Sequence, residues 1–418
     1  MVEKKKKLLI YAHYYSPDVA STGQILKELA EGMLSEFDIT IICVVPSYTG
    51  KISKEYRAEK FYKEELNGVK IIRLRVPEFS KISKISRIKN IVSYFIGAIL
   101  ATFKVGKMDY VYSISQPPIL GGLLGVWGKW MKNAKFIYNI QDFNPEQTMA
   151  VGYSKNKVML KIMLWCDKFS CTHADKVIVV GRDMVETLRS RYKSKKLPDH
   201  VFINNWIDEE EIFPLSKNNE KVLAFKKKYE LEDKFIIMYS GNLGLYYDLE
   251  NIVRLLENFK DRKDIIFAFV GEGSIKERLL YIKQKYSLSN VTFIPYQEKS
   301  DLIYSLNAGD VHWCINAKGI KGISVPSKLY GIIAAGKPVL GVLDKNSEAR
   351  LIIEESDCGY VTEPGNYDAV IEIIERYINE KDTNNLTEMS IKGRSYLVEN
   401  LTKEVSITKY INEIKSCK

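Results

Sequence analysis

The sequence predicts an α/β protein built from two doubly wound parallel sheets, one after the other. Three observations carry that reading. Short apolar runs alternate with amphipathic stretches of helical length through most of the chain. Those runs are hydrophobic nearly throughout rather than at every second residue, as strands buried on both faces must be. At 418 residues the chain exceeds the size of one core, and the alternation restarts after residue 205.

In chain order, Leu8–Ala12 reads as the first strand and Gly23–Leu34 as a helix with apolar residues at i, i+3 and i+4 spacing. Ile39–Val45, Val69–Val76, Tyr110–Ile114, Phe136–Ile140 and Lys176–Val180 follow as strands. One segment departs from the pattern. Lys81–Asn90 is strongly basic, and Ile91–Phe103 behind it is hydrophobic almost all round but shorter than the ~20 residues that span a bilayer. An interfacial helix held by lysines on an anionic membrane surface fits it, and so does a buried helix behind a solvated basic loop. Asn204–Pro214, polar and acidic, reads as a linker. Beyond it Phe235–Tyr239, Ile265–Val270, Val291–Ile294, Val311–Cys314, Val339–Val342 and Gly359–Val361 form the second set of strands. The expected division is 1–204, 205–383 and a helical segment 384–418. Ligands of such sheets bind outside the carboxyl ends of the strands, so two of them are expected to leave a cleft.

A hydrophobic content of 46% with 27% charged residues describes a folded chain. The net charge of +10 is concentrated in Lys4–Lys7, Lys81–Lys89 and Arg191–Lys196. Nucleic acid, an acidic membrane or an anionic substrate could answer it, and no nucleic-acid-binding module accompanies it. Six cysteines occur without a C-x-x-C pair or a histidine at zinc spacing, the usage expected in a reducing cytoplasm. The apolar run after Lys4–Lys7 is too short for a signal-peptide core.

Chemistry is expected at the strand ends. Pro326 and Ser327 open an apolar segment with Lys328 in its first turn, and Ala334–Pro338 closes it. A helix start armed with a lysine attracts a nucleotide diphosphate, although a capped core helix with a solvated lysine has the same local sequence. Gly271, Glu272 and Gly273 follow one strand, and Gly241 and Asn242 follow another, where the chain can turn tightly beside a ligand. Thr22 and Gly23 open the first helix. Asp142 and Glu146 follow a strand of the first domain, either to orient a hydroxyl or as an N-cap and a first-turn acid. His13 ends the first strand, where a lone histidine is more often structural. No D-x-D, G-x-S-x-G, H-E-x-x-H or Walker loop is present, which points to phosphate held by backbone and lysine, with no metal.

Taken in order, Ser16–Asp18 with Ser21–Gly23, Gln141–Glu146, Val180–Asp183, Asn205–Asp208 with Phe213–Pro214, Tyr239–Gly244, Phe269–Gly273, Pro326–Leu340, and Ser347–Glu348 ahead of Gly359 resemble the retaining glycosyltransferases of family 4. The chain is similar to the bacterial transferases of O-antigen and capsule assembly, including N-acetyl-L-fucosamine transferases. That resemblance implies a GT-B fold, a UDP-sugar co-substrate with no further cofactor, and a polyprenyl-diphosphate-linked saccharide acceptor. It implies work at the cytoplasmic face of the membrane. It places Gly271–Gly273, Tyr296 and Gln297 near uridine and sugar, Lys328 at the diphosphate, and Asp142 and Glu146 on the acceptor side. The chain departs from the family where two glutamates give way to Ile323 and Gly331, and where an Arg and a Lys give way to Asn242 and Tyr247. Glu348 is then the candidate for the ribose hydroxyls. The same resemblance admits a UDP-sugar epimerase, and the departures admit a non-catalytic scaffold.

Overall fold

Apolar strands in two groups set the architecture. In the computed structural model, which describes residues 4–18, 21–80, 83–150, 152, 154–192 and 196–417, the first group is β1 (Lys6–Tyr11), β2 (Phe37–Val44), β3 (Phe61–Leu66), β4 (Val69–Leu74), β5 (Tyr110–Ile114), β6 (Lys135–Ile140), β7 (Lys176–Val179) and β8 (His200–Phe202). Their order in the sheet is β3-β4-β2-β1-β5-β6-β7-β8. All neighbours run parallel except β3 and β4, an antiparallel hairpin. Its turn is Asn67-Gly68, both with positive φ (49° and 83°), the pair that a two-residue turn between twisted strands favours. Leu8, Leu9, Ile10, Ile39, Ile41, Val111, Phe136 and Ile137 are fully buried in this sheet.

The second group is β9 (Phe235–Ser240), β10 (Ile265–Val270), β11 (Val291–Ile294), β12 (Val311–Ile315), β13 (Val339–Val342) and β14 (Gly359–Thr362). They pair in the order β11-β10-β9-β12-β13-β14, all parallel. Trp313, Phe267, Phe269, Ile237 and Leu340 fill its core. The two parallel α/β sheets expected from the sequence are both present.

Each sheet has one place where the chain changes its direction of winding: between β1 and β5 in the first, between β9 and β12 in the second. A doubly wound sheet opens a crevice at the carboxyl ends of the strands on either side of that point.

The chain divides into residues 1–180, 184–204 and 406–418 as one unit, and 181–183 with 205–405 as the other. The segment 384–418 is therefore not one piece. Helix Asn385–Asn400 buries Met389 and Leu397 in the second unit. From Ser406 onward the chain joins the first, where Asn139 Nδ2 donates to the Tyr410 hydroxyl at 3.1 Å and Tyr410 meets Tyr112 edge-on.

The basic-apolar segment forms one helix, Lys84–Thr102, which takes Lys84, Arg87 and Lys89 into its own turns; Lys81 and Ile82 lie outside the described residues. It buries one face and exposes the other, and apolar residues stand on both. Asn90, Tyr94, Gly97, Ala98 and Ala101 are buried, whereas Ile85, Ile88, Val92, Ile96 and Leu100 face outward at helical spacing. No helix among the described residues is long and apolar enough to cross a membrane.

Candidate active site

The switch point of the second sheet holds the lysine. Gly241 follows β9 with φ 148°, and Gly271 follows β10 with φ 139°, conformations that L side chains rarely adopt. A Cβ on Gly271 would lie 2.0 Å from the Gly241 carbonyl oxygen, so only glycine lets these two strand-end loops touch backbone to backbone. A Cβ on Gly241 would in turn lie 2.4 Å from Cε of Lys328. The lysine stem thus runs across Gly241, and its Nζ stands 3.5 Å from the centre of the Tyr247 ring and 5.2 Å from that of Tyr239. No carboxylate pairs with it among the described residues. Two ring faces hold the ammonium instead. Burial pulls its pKa down to about 8, because removing water penalises the charged form.

The helix that Lys328 opens is short, Lys328–Ala334, and no side chain caps it: Ser327 is exposed and Pro326 buried. Its charge, not a long helix dipole, is the main electrostatic feature here. Around it, Asn242 is exposed and its carbonyl accepts from the Tyr239 hydroxyl at 2.8 Å. Gly273 packs on the backbone of Leu243. Glu272 is exposed and paired with Lys276 at 2.6 Å. Tyr296 stands exposed beyond β11, while Gln297 turns back to donate to the Pro295 carbonyl at 2.7 Å.

Glu348 departs from expectation. It is almost fully buried, and both the backbone N–H and Nε of Arg182 donate to its Oε2 at 2.8 Å. The structure gives this carboxylate a guanidinium partner. Arg182 stands in the Val180–Asp183 motif, so the partner was visible in the sequence but its pairing was not. Ile323 and Gly331 both lie buried, and a Cβ on Gly331 would meet methyl groups of Leu306 and Ile207 at 3.4 and 3.5 Å.

In the first unit, three residues gather at the ends of β1, β5 and β6. The Thr22 hydroxyl donates to Gln116 Oε1 at 3.0 Å. The backbone N–H of Asp142 donates to the Ser115 hydroxyl at 3.3 Å. Burial pushes the Asp142 carboxyl up to about 6, against the opposing hydrogen bonds of Gln147 and Gln116. Gln116, which sequence reasoning passed over, therefore links Thr22 to Asp142. Gly23 lets the first helix approach the Tyr14 carbonyl. Glu146 is not part of this group. Arg191 Nε donates to it at 2.8 Å, and the same guanidinium binds Asp167 and the Asn144 carbonyl. The two acids read as a pair from the sequence thus do different work, and Arg191 is a buried cation.

Residues 220–395 match the family described as glycosyl transferases group 1. Over 414 residues the chain is 26% identical to the probable glycosyltransferase WbjE of Pseudomonas aeruginosa, covering 97% of this chain and 96% of that protein. It is 23% identical over 418 residues to the putative colanic acid biosynthesis glycosyl transferase WcaI of Escherichia coli K12, covering 98% and 100%. Among solved structures it is similar to sucrose-phosphate synthase of Thermosynechococcus elongatus, with TM-score 0.75, 14% identity and 98% of each chain covered. It is likewise similar to Anabaena HepE in complex with UDP and glucose, with TM-score 0.71, 12% identity and coverage of 98% and 100%.

Proposed function

Taking the chain as a group 1 glycosyltransferase of GT-B fold, we propose that it moves a sugar from UDP to a hydroxyl of a lipid-linked saccharide, with retention, in the synthesis of a surface polysaccharide. The observation that carries the donor half is Lys328 lying across Gly241 against Tyr247. HepE, of the same fold, was solved with UDP and glucose, and the description of WcaI as a putative colanic acid biosynthesis transferase supports the polysaccharide setting.

In the reaction the bond from the anomeric carbon to the UDP oxygen breaks, and a bond to the acceptor oxygen forms on the same face of the sugar. The hydroxyl proton leaves on the departing diphosphate. Charge grows on that diphosphate as the bond stretches, so Lys328 stabilises the transition state more than the ground state. Asp142 accepts a hydrogen bond from the acceptor hydroxyl and orients it. No metal and no further cofactor enter this reading. The test is incubation of the purified chain, with a chelator present, with a panel of UDP-sugars and a polyprenyl-diphosphate-linked acceptor. Transfer of label into the lipid fraction from one donor supports it; UDP binding without transfer from any donor makes the chain a scaffold, and conversion of the free UDP-sugar makes it an epimerase.

The pH dependence has a definite sign. Asp142 must be ionised and Lys328 protonated, so kcat/KM rises as pH passes about 6 and falls as it passes about 8. Asp142→Asn removes the acid limb and keeps the alkaline one. A wild-type profile flat from pH 5 to 9 contradicts both assignments.

Membrane contact belongs to the same proposal. The outward row Ile85, Ile88, Val92, Ile96 and Leu100 carries Lys84, Arg87 and Lys89 beside it, a composition suited to an anionic bilayer surface. Helix Lys157–His173, which packs on the same neighbouring helix, Leu120–Lys132, adds exposed Val158, Ile162 and Trp165. Ile88→Glu with Ile96→Glu is expected to cut co-sedimentation with phosphatidylglycerol vesicles by at least about tenfold, since each charge must be kept out of the interface. Undiminished co-sedimentation contradicts the surface.

A further inference from the structure

The switch point of the first sheet holds a cavity of about 370 Å³, within the size range of small-molecule sites. His13 and Tyr14 follow β1, Gln116 follows β5, and Arg87 and Asn90 reach it from the first turns of helix Lys84–Thr102. Its walls differ in chemistry. Tyr14 and Tyr48 meet edge-on at 5.3 Å on one side, and Pro117 and Pro118 line another, surfaces that suit the C–H faces of a pyranose ring. Polar groups line it as well. His13 is more than nine-tenths buried, its ring bonded to the Asn90 side chain, and its Nε2 has no hydrogen-bond partner. A buried, unpaired ring nitrogen costs stability unless a ligand satisfies it. Arg87 is exposed and pairs with no carboxylate among the described residues. Gln116 ties the cavity to Thr22 and Asp142. The outward apolar row of the same helix runs past Arg87 and Ile91.

Resting on the transferase reading above, we propose that this cavity binds the glycosyl phosphate portion of the acceptor. Its sugar ring lies between the tyrosines and the prolines, one hydroxyl bonds to His13 Nε2, and its phosphate meets Arg87. The attached lipid then follows the helix along Ile88, Val92 and Ile96. Burial holds His13 neutral, with a pKa near 4, so it acts by hydrogen bonding and not by charge. It is a positioning residue.

Titration of the full-length chain with N-acetylglucosamine 1-phosphate tests this, with inorganic phosphate and UDP as parallel ligands. The wild type is expected to bind the sugar phosphate more tightly than phosphate alone. Arg87→Gln and His13→Phe are each expected to weaken sugar-phosphate binding about tenfold, the loss of one hydrogen bond to a charged or buried partner. UDP affinity stays unchanged in both. Arg87 is exposed, so its variant folds even where the His13 variant does not. Equal affinity for phosphate and sugar phosphate, or no effect of Arg87→Gln, overturns the proposal. Loss of UDP binding by the wild type counts against the donor reading alone, because the sugar-phosphate titration does not depend on it.

Discussion

Lys328→Ala is expected to lower transferase turnover by about 10²- to 10³-fold, the cost of removing one preorganised donor from a charge that develops in the transition state. The melting temperature should move little. The half-buried lysine makes no ion pair among the described residues, so its removal strands no carboxylate, and losing a cation held over two rings costs about 0.5–2 kcal/mol. A separate variant isolates the seat from the charge. Gly241→Ala places a Cβ 2.4 Å from Cε of Lys328 and displaces the lysine without deleting it. Turnover should fall there too, with the alkaline limb of the pH profile moved. A Lys328→Ala enzyme with near-normal turnover removes the diphosphate role.

The largest stability effect is expected elsewhere, at Arg191. Its guanidinium joins Glu146 and Asp167, and the side chains of Arg191 and Asp167 are only 2% and 3% exposed. Burial pushes the Asp167 carboxyl up, against the pull of Arg191 and of the Tyr138 hydroxyl. Arg191→Ala leaves that carboxylate buried without its cation, which costs about 3–5 kcal/mol. Chemical denaturation followed by circular dichroism measures it. An exposed pair provides the contrast: Lys392 meets Asp357 at 2.6 Å with both side chains at least half exposed, and Lys392→Ala should change stability by less than about 1 kcal/mol. Equal effects at the two sites contradict the desolvation argument. The Arg191 result also bears on function, because a large loss of stability with intact turnover in the folded fraction fits a structural Glu146.

The strands that sequence reading found are those buried on both faces, where an unbroken apolar run leaves one interpretation. β3 escaped because Phe61–Leu66, on a sheet edge, carries three charged residues in a row and so has no apolar run, although Asn67-Gly68 marked its turn. β8 escaped because three half-buried residues give no period. The glycines and Lys328 were legible as residues that approach a ligand, yet the seat of the lysine on Tyr247 joins positions 81 apart and has no local signature. The carboxylates show the same limit more sharply. An acid after a strand looks alike whether it faces substrate or a guanidinium. Glu146 finds Arg191 45 residues away and Glu348 finds Arg182 166 residues away, and only the fold supplies those partners. The helix at 84–102 shows the reverse: composition announced an apolar helix behind basic residues, and register then decided which side chains face out.

The most direct measurement compares UDP with uridine on wild type and Lys328→Ala by isothermal titration at pH 7. If the ammonium reads the diphosphate, the variant binds UDP at least about tenfold more weakly while uridine affinity is unchanged, and wild-type UDP affinity declines as pH rises past about 8. Equal UDP affinity in the two proteins, constant across that pH range, would show that the diphosphate is held elsewhere.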